Sequence, residues 1–138
     1  MGIRLIAALI TIGLSAPAFA AEISLPVNDI VAIGNALVSL DGYDRSVKDG
    51  TQDRVIKEPY KFSPGVRLTI ARDLTAVKAV VADVQATARG LDKAAIDKLG
   101  LEKQPIVLAP ILTKDLSLDQ NPIPPSVLSA LNPVIVVE

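Results

Sequence analysis

The chain has no cysteine, no histidine and no tryptophan among its 138 residues. Zinc sites of the Cys/His type, Cys or His catalysis, the common haem ligations, Rieske centres and disulfide frameworks all need those residues and are excluded. Aromatic residues make up only 3% of the chain, so sugar-stacking platforms are nearly absent. Neither sign of charge dominates, with 14 basic residues against 15 acidic ones. A near-neutral, slightly acidic chain lacks the electrostatic footprint of a nucleic-acid binder. The eight glycines are scattered singly, which leaves no glycine-rich phosphate loop.

What is present is aliphatic: 50% of the residues are hydrophobic, and 14 of the first 20 are apolar. Met1 to Arg4 is a short basic start, and Leu5 to Leu14 is apolar apart from Thr11 and Gly13. Ala18-Phe19-Ala20 supplies the A-x-A cleavage pattern. Charge, apolar run and cleavage site stand in the order of a secretory signal peptide over residues 1–20, with cleavage expected before Ala21. The apolar run is short for a span of ~20 residues. Without cysteine there is no lipoprotein anchor, and a single Arg makes no twin-arginine signal. Losing Arg4 takes the net charge from −1 to −2. The remainder, 21–138, is expected to be one small helical domain, periplasmic or secreted, with no stable membrane span after cleavage.

Ala21 to Pro26 reads as a short lead. Ile30, Ile33, Leu37 and Leu40 recur at 3-4-3 spacing, which predicts a helix over about 27–40, capped by Ser24 or Asn28 and stopped at Asp41-Gly42. Ser63-Pro64 reads as an N-cap followed by proline at the first helical position. Ile70, Leu74, Val77, Val81, Val84 and Ala88 then form one stripe in a long helix closed by Gly90. Packing of that stripe on the 27–40 helix is favoured over a coiled-coil dimer, and replacing Val77 and Val81 by Asp is expected to unfold the monomer. Asp92 caps a short helix over about 93–99. Gln104 to Leu112 is extended but interrupted by Pro110. Pro124-Pro125-Ser126 opens a last helix to Leu131, and Val134 to Val137 is an apolar tail that must pack or meet a partner. No repeat of fixed period is visible. The expected fold class is mainly α with minor β: a helical hairpin with a small extended segment and a short C-terminal helix.

Between the two long helices lies a charged segment containing Asp41, Asp44, Asp49 and Asp53. Asp49-Gly50 is a turn signal that could join two short strands as a hairpin. The acids invite a calcium loop, but both registers fail. From Asp41, positions 3, 5 and 12 fall on Tyr43, Arg45 and Gln52; from Asp44, position 6 is Asp49 instead of Gly. Lys48-Asp49-Gly50-Thr51 resembles a phosphatase nucleophile motif, yet Val47 stands where its first Asp is needed. Three residues after Ser46 and Ser63 stand Asp49 and Val66, so there is no Ser-x-x-Lys dyad. No catalytic, cofactor-binding or metal-binding residue is assigned. Tyr43, Tyr60 and Phe62 are expected to wedge this segment onto the helices.

Tyr60-Lys61-Phe62 leads into the long helix. Lys114-Asp115-Leu116 follows later, and Ile123-Pro124-Pro125-Ser126-Val127-Leu128-Ser129-Ala130-Leu131-Asn132-Pro133-Val134-Ile135 closes the chain. That order, over most of 60–138, resembles small uncharacterised phage and prophage proteins with a Tyr-Lys-Leu-like lead-in, a long helix and a closing I-P-P-S-x-L-x-A-L-x-P-x-I segment. The resemblance implies a shared fold and no catalytic residues, and the signal peptide departs from it. The expected function is an exported, non-enzymatic interaction or accessory protein whose partner is another protein or a second copy. Its expected contact surfaces are the leftover face of the 64–90 helix and the apolar tail. The rivals are a small enzyme using carboxylates of the 41–58 segment and an envelope protein held at the membrane by an uncleaved leader.

Overall fold

A computed structural model describes residues 21–137; the expected signal peptide lies outside the described residues. Strand β1 (Ala21–Pro26) runs straight into helix α1 (Val27–Ser39) without a loop. Neither Ser24 nor Asn28 caps that helix. The free Val27 N–H donates instead to the Glu102 carbonyl at 3.0 Å, so a neighbouring segment supplies the missing acceptor. Ile30, Ile33 and Leu37 on the 3-4 stripe are all but fully buried, as the spacing requires.

The charged segment folds into two seven-residue strands, β2 (Tyr43–Asp49) and β3 (Gln52–Glu58). They pair antiparallel from Tyr43↔Glu58 to Asp49↔Gln52. Gly50 takes φ +68° while Thr51 keeps a negative φ, the pattern of a two-residue II′ turn that needs glycine first. Helix α2 (Pro64–Ala88) starts where Ser63 Oγ accepts the Val66 N–H at 3.3 Å and ends before Gly90, whose φ is +78°. Helix α3 (Lys93–Leu101) is capped by Asp92, which accepts the Ala95 N–H at 2.8 Å. Strand β4 (Lys103–Leu108) then returns to pair antiparallel with β1. After a break at Ala109-Pro110, the two-residue strand β5 (Ile111–Leu112) pairs in parallel with β6 (Ile135–Val136). Between them lie a 3₁₀ turn (Thr113–Leu116) and helix α4 (Pro125–Ala130).

The expected mainly α helical hairpin is therefore not what forms. About half of the described residues are helical and about a quarter are in strands, arranged as three two-stranded sheets, two of them antiparallel: a mixed α/β fold. Both long helices are present, but α1 packs not only on α2 but also against α3, α4 and β1. The buried line of α2 also differs from the expected stripe. Val66, Asp73 and Val77 are buried, whereas Leu74, Val81, Val84 and Ala88 are only half-buried. Helix α2 turns its inner side toward β4 as well as α1, so the buried line is rotated toward the sheet. At the helix crossing Val77 is seated against Gly34, where a Cβ would lie 2.7 Å from Val77 Cγ1. The apolar tail packs in part: Val134 is buried and Val137 is exposed.

Candidate functional site

The carboxylates of the 41–58 segment do not converge. Register places Asp44 opposite Lys57 and Asp53 opposite Lys48, so each acid faces a base across the hairpin. Asp49 falls on the other face, and Asp41 lies outside the strands, 3.6 Å from the Lys57 ammonium. Among the described residues no group of three or more acids, histidines or cysteines is placed to hold a metal ion. At the base of the hairpin, Glu58 accepts the Tyr43 hydroxyl at 2.9 Å and pairs with Arg45 Nε at 2.9 Å. The hydrogen bond to Glu58 is the main reason the Tyr43 phenol is held above its ordinary pKa. The Tyr43 ring lies 5.1 Å from Tyr60, and Tyr60 lies 5.6 Å from Phe62. This aromatic file anchors the hairpin to the core, since Tyr60 and Phe62 are buried. Beyond that base, among the described residues, no helix packs extensively along either strand, and no strand pairs with the outer edge of β2 or of β3.

A second feature is a groove of about 330 Å³ between α1 and α2. Val31, Val38, Leu74 and Val81 form its walls, Gly34 and Val77 its floor, and Asn35, Lys78 and Gln85 its polar margin. The missing side chain at Gly34 brings the helices close at the floor, while the half-buried upper part of the α2 stripe stays open above it. Val31 and Val38 belong to the outer side of α1, which the 3-4 stripe did not include.

The third feature was not anticipated at all. Asp73 is 1% exposed, in the middle of α2. Its Oδ1 accepts the Ala109 N–H at 2.7 Å, and its Oδ2 is buried with no hydrogen-bond partner among the described residues. Ala109 is the first residue past the described β1–β4 ladder, which reaches Ala21↔Leu108, and its N–H donates to no strand among the described residues. Asp73 supplies that acceptor and pins the β4–β5 corner to α2. Burial pushes its carboxyl up to about 6, and the Ala109 hydrogen bond offsets only part of that. One sequence signal could have exposed it. Val66, Ile70, Asp73, Val77 and Val80 also follow 4-3-4-3 spacing, with an acid where an apolar residue belongs.

Asn121 plays the comparable part for the other loops. It is 3% exposed; its Oδ1 accepts the Lys61 N–H at 2.7 Å, and its Nδ2 donates to Lys61 O at 3.1 Å and Leu116 O at 2.8 Å. Three bonds from one amide tie the approach to α2 to the 3₁₀ turn. Set against known protein families, curated proteins and solved structures, the chain finds no match in any of the three.

Proposed function

We propose that the chain is an exported, non-enzymatic interaction protein, periplasmic or secreted, that associates through the β2–β3 hairpin. One observation carries this reading: among the described residues, the hairpin stands off the core as an arm with two unpaired edges. An isolated two-stranded hairpin is marginal in water, and open edges template pairing with another chain unless they are covered. A seven-residue arm anchored only at its base gains most from a partner. The α1–α2 groove favours a second contact, since an apolar hollow with a polar margin accepts an apolar side chain. The enzymatic alternative has less behind it, because Asp44 and Asp53 face Lys57 and Lys48 and Asp73 is shut from solvent.

The test is expression with the native leader, followed by intact and native mass of periplasmic, medium, membrane and cytosolic fractions. The parent chain is compared with one in which residues 44–57 are replaced by a short glycine turn. A species starting at Ala21, above monomer mass in the parent and monomeric after trimming with an unchanged melting curve, is expected. Full-length protein in the cytosol would overturn export, and full-length protein in the membrane would make the leader an anchor. A native mass unchanged by trimming would overturn the role of the arm.

A further inference from the structure

The register of the hairpin exposes a short repeat. Asp44-Arg45-Ser46-Val47-Lys48 on β2 and Asp53-Arg54-Val55-Ile56-Lys57 on β3 share the pattern Asp-Arg-x-(Val or Ile)-Lys. Because the strands are antiparallel, each Asp meets the other unit's Lys and each Arg meets the other unit's β-branched residue. A unit with Asp at one end and Lys at the other is complementary to its own reverse. A second β3 can therefore satisfy β3 in the way β2 does.

We propose that the free edge of β3 pairs antiparallel with the same edge of a second copy, about a twofold axis at Val55, joining two hairpins into a four-stranded sheet. This rests on the reading of the hairpin as the associating arm and names its partner. The backbone is set for it. In a hairpin with a two-residue loop the flanking pair, here Asp49↔Gln52, exchanges both backbone hydrogen bonds, and the exchange alternates along the ladder. The N–H and C=O groups of Asp53, Val55 and Lys57 then point away from β2, toward the free edge. A twofold at Val55 aligns these three residues with Lys57, Val55 and Asp53 of the second copy, and it overlaps all seven residues of the strand.

The side chains agree with that register. Val55 is 63% exposed, and at the axis it meets its own copy. Asp53 faces Lys57 of the second copy twice, and Arg54 faces Ile56 of the second copy twice. The Lys57–Asp41 pair is solvent-facing, with both side chains more than half exposed, so the ammonium is free to turn. Shifting the axis to Ile56 would set Arg54 against Glu58 of the second copy, but Glu58 is already committed to Tyr43 and Arg45, and the overlap shortens. The β2 edge has the same charge palindrome but only Ser46 at its centre, which is why β3 is the edge assigned. Charged residues at an edge ordinarily keep copies apart; here both signs are placed so that a copy neutralises them.

Sedimentation equilibrium of the chain purified after export reads the association directly. A concentration-dependent dimer in the micromolar range is expected, and a monomer at every concentration up to roughly 0.5 mM would overturn the proposal. Val55→Pro removes an N–H that faces the free edge and not β2, so it is expected to give a monomer with an unchanged melting curve. A dimer that survives it belongs to another surface and overturns the assignment. Asp53→Lys is expected to weaken the dimer at least tenfold. The fourfold exchange Asp44→Lys, Lys48→Asp, Asp53→Lys, Lys57→Asp keeps every cross-strand pairing complementary, gives up only the solvent-facing Lys57–Asp41 contact, and restores the dimer; failure to restore counts against the register.

Should Val55→Pro not fold, Val55→Cys decides. The chain has no other cysteine, and the axis brings the two Cα atoms to about 5.5 Å, within disulfide reach. Oxidation is expected to cross-link Val55→Cys far more completely than Thr51→Cys at the turn, and equal yields overturn the axis. A purified monomer, together with a larger complex in the export fraction that trimming of 44–57 abolishes, would sink self-pairing while leaving the arm as an interaction device. Trimming without effect would sink both.

Discussion

Replacing Asp73 by Asn tests the least expected feature of the fold. The side chain is 1% exposed, one oxygen is occupied by Ala109 N–H, and the other has no partner among the described residues. Its carboxyl titrates at about 6 in the folded chain, against 3.8 for the free group. Between those values the folded chain holds the proton and the unfolded chain has lost it. This group's contribution to stability is therefore full below pH 3.8, falls as the pH rises through the interval, and is flat above about 6. At roughly 1.4 kcal/mol per pH unit the difference amounts to about 2–3 kcal/mol. Asp73→Asn keeps an acceptor for Ala109 and abolishes the charge. The variant is expected to match the parent near pH 4 and to exceed it by that amount at pH 8, with Tm higher by roughly 4 °C per kcal/mol for a chain of this size. Urea unfolding of both proteins at intervals from pH 4 to 8, with equal m-values, isolates the group because every other carboxylate is common to the two curves. A difference that stays flat with pH would refute the reasoning and mean that the carboxylate is compensated in the folded state. A variant less stable than the parent at pH 8 would mean that the charge itself holds the corner.

Asn121→Ala removes three hydrogen bonds and leaves the Lys61 and Leu116 backbone groups short of partners; a loss of about 2–4 kcal/mol is expected in urea unfolding, and a loss under 1 kcal/mol would show that water replaces the amide. Val77→Asp places a charge against Gly34 with no partner and is expected to unfold the chain, whereas Val81→Asp, on the open wall of the groove, is expected to cost about 1 kcal/mol or less; equal effects by circular dichroism would contradict the observed rotation of α2. Gly34→Ala gains helix propensity but drives a methyl into Val77, so a net loss of about 1 kcal/mol is expected, relieved when Val77→Ala is added; strict additivity in that double-mutant cycle would deny the contact.

Local signals in the sequence located the helices well. The 3-4 stripe at Ile30, Ile33 and Leu37, the Ser63-Pro64 start, the Asp92 cap and Gly90 each act within a turn of the residue that carries them. The strands were harder because their reasons lie elsewhere in the chain. Ala21 to Pro26 offers only Ile23 and Leu25 as alternating apolar residues, and it becomes a strand because Lys103–Leu108 arrives beside it some eighty residues later. Val55 and Ile56 fall on opposite faces of β3, so they give no run that a period could detect. These non-local pairings turn an expected helical hairpin into a mixed fold.

The candidate site was legible in composition and hidden in arrangement. Along the chain the acids at 44 and 53 invite a calcium-loop reading, and the interleaved bases Arg45, Lys48 and Arg54 offset them; the four residues Asp44, Lys48, Asp53 and Lys57 do not stand out as a set. Once strand register is known, the same four residues become the ends of two reversed units, nine positions apart. Such a repeat is too short and too degenerate to stand out along the chain, and its meaning comes from antiparallel pairing, in which order is read backwards. Asp73 is hidden for the opposite reason: the apolar stripe through Leu74 runs past it, as it would if a single neighbour covered a single face of the helix. Helix α2 has neighbours besides α1, namely β4 and β5, and the acid lies toward the corner between those two strands. A proline stands at that corner. Pro110 ends the strand, the Ala109 N–H meets no described ladder partner, and this part-buried donor takes an acceptor from the facing helix. A proline that interrupts an apolar strand is thus a reason to search the facing helix for a buried Asp, Asn or Ser, and here that search leads from Pro110 to Asp73.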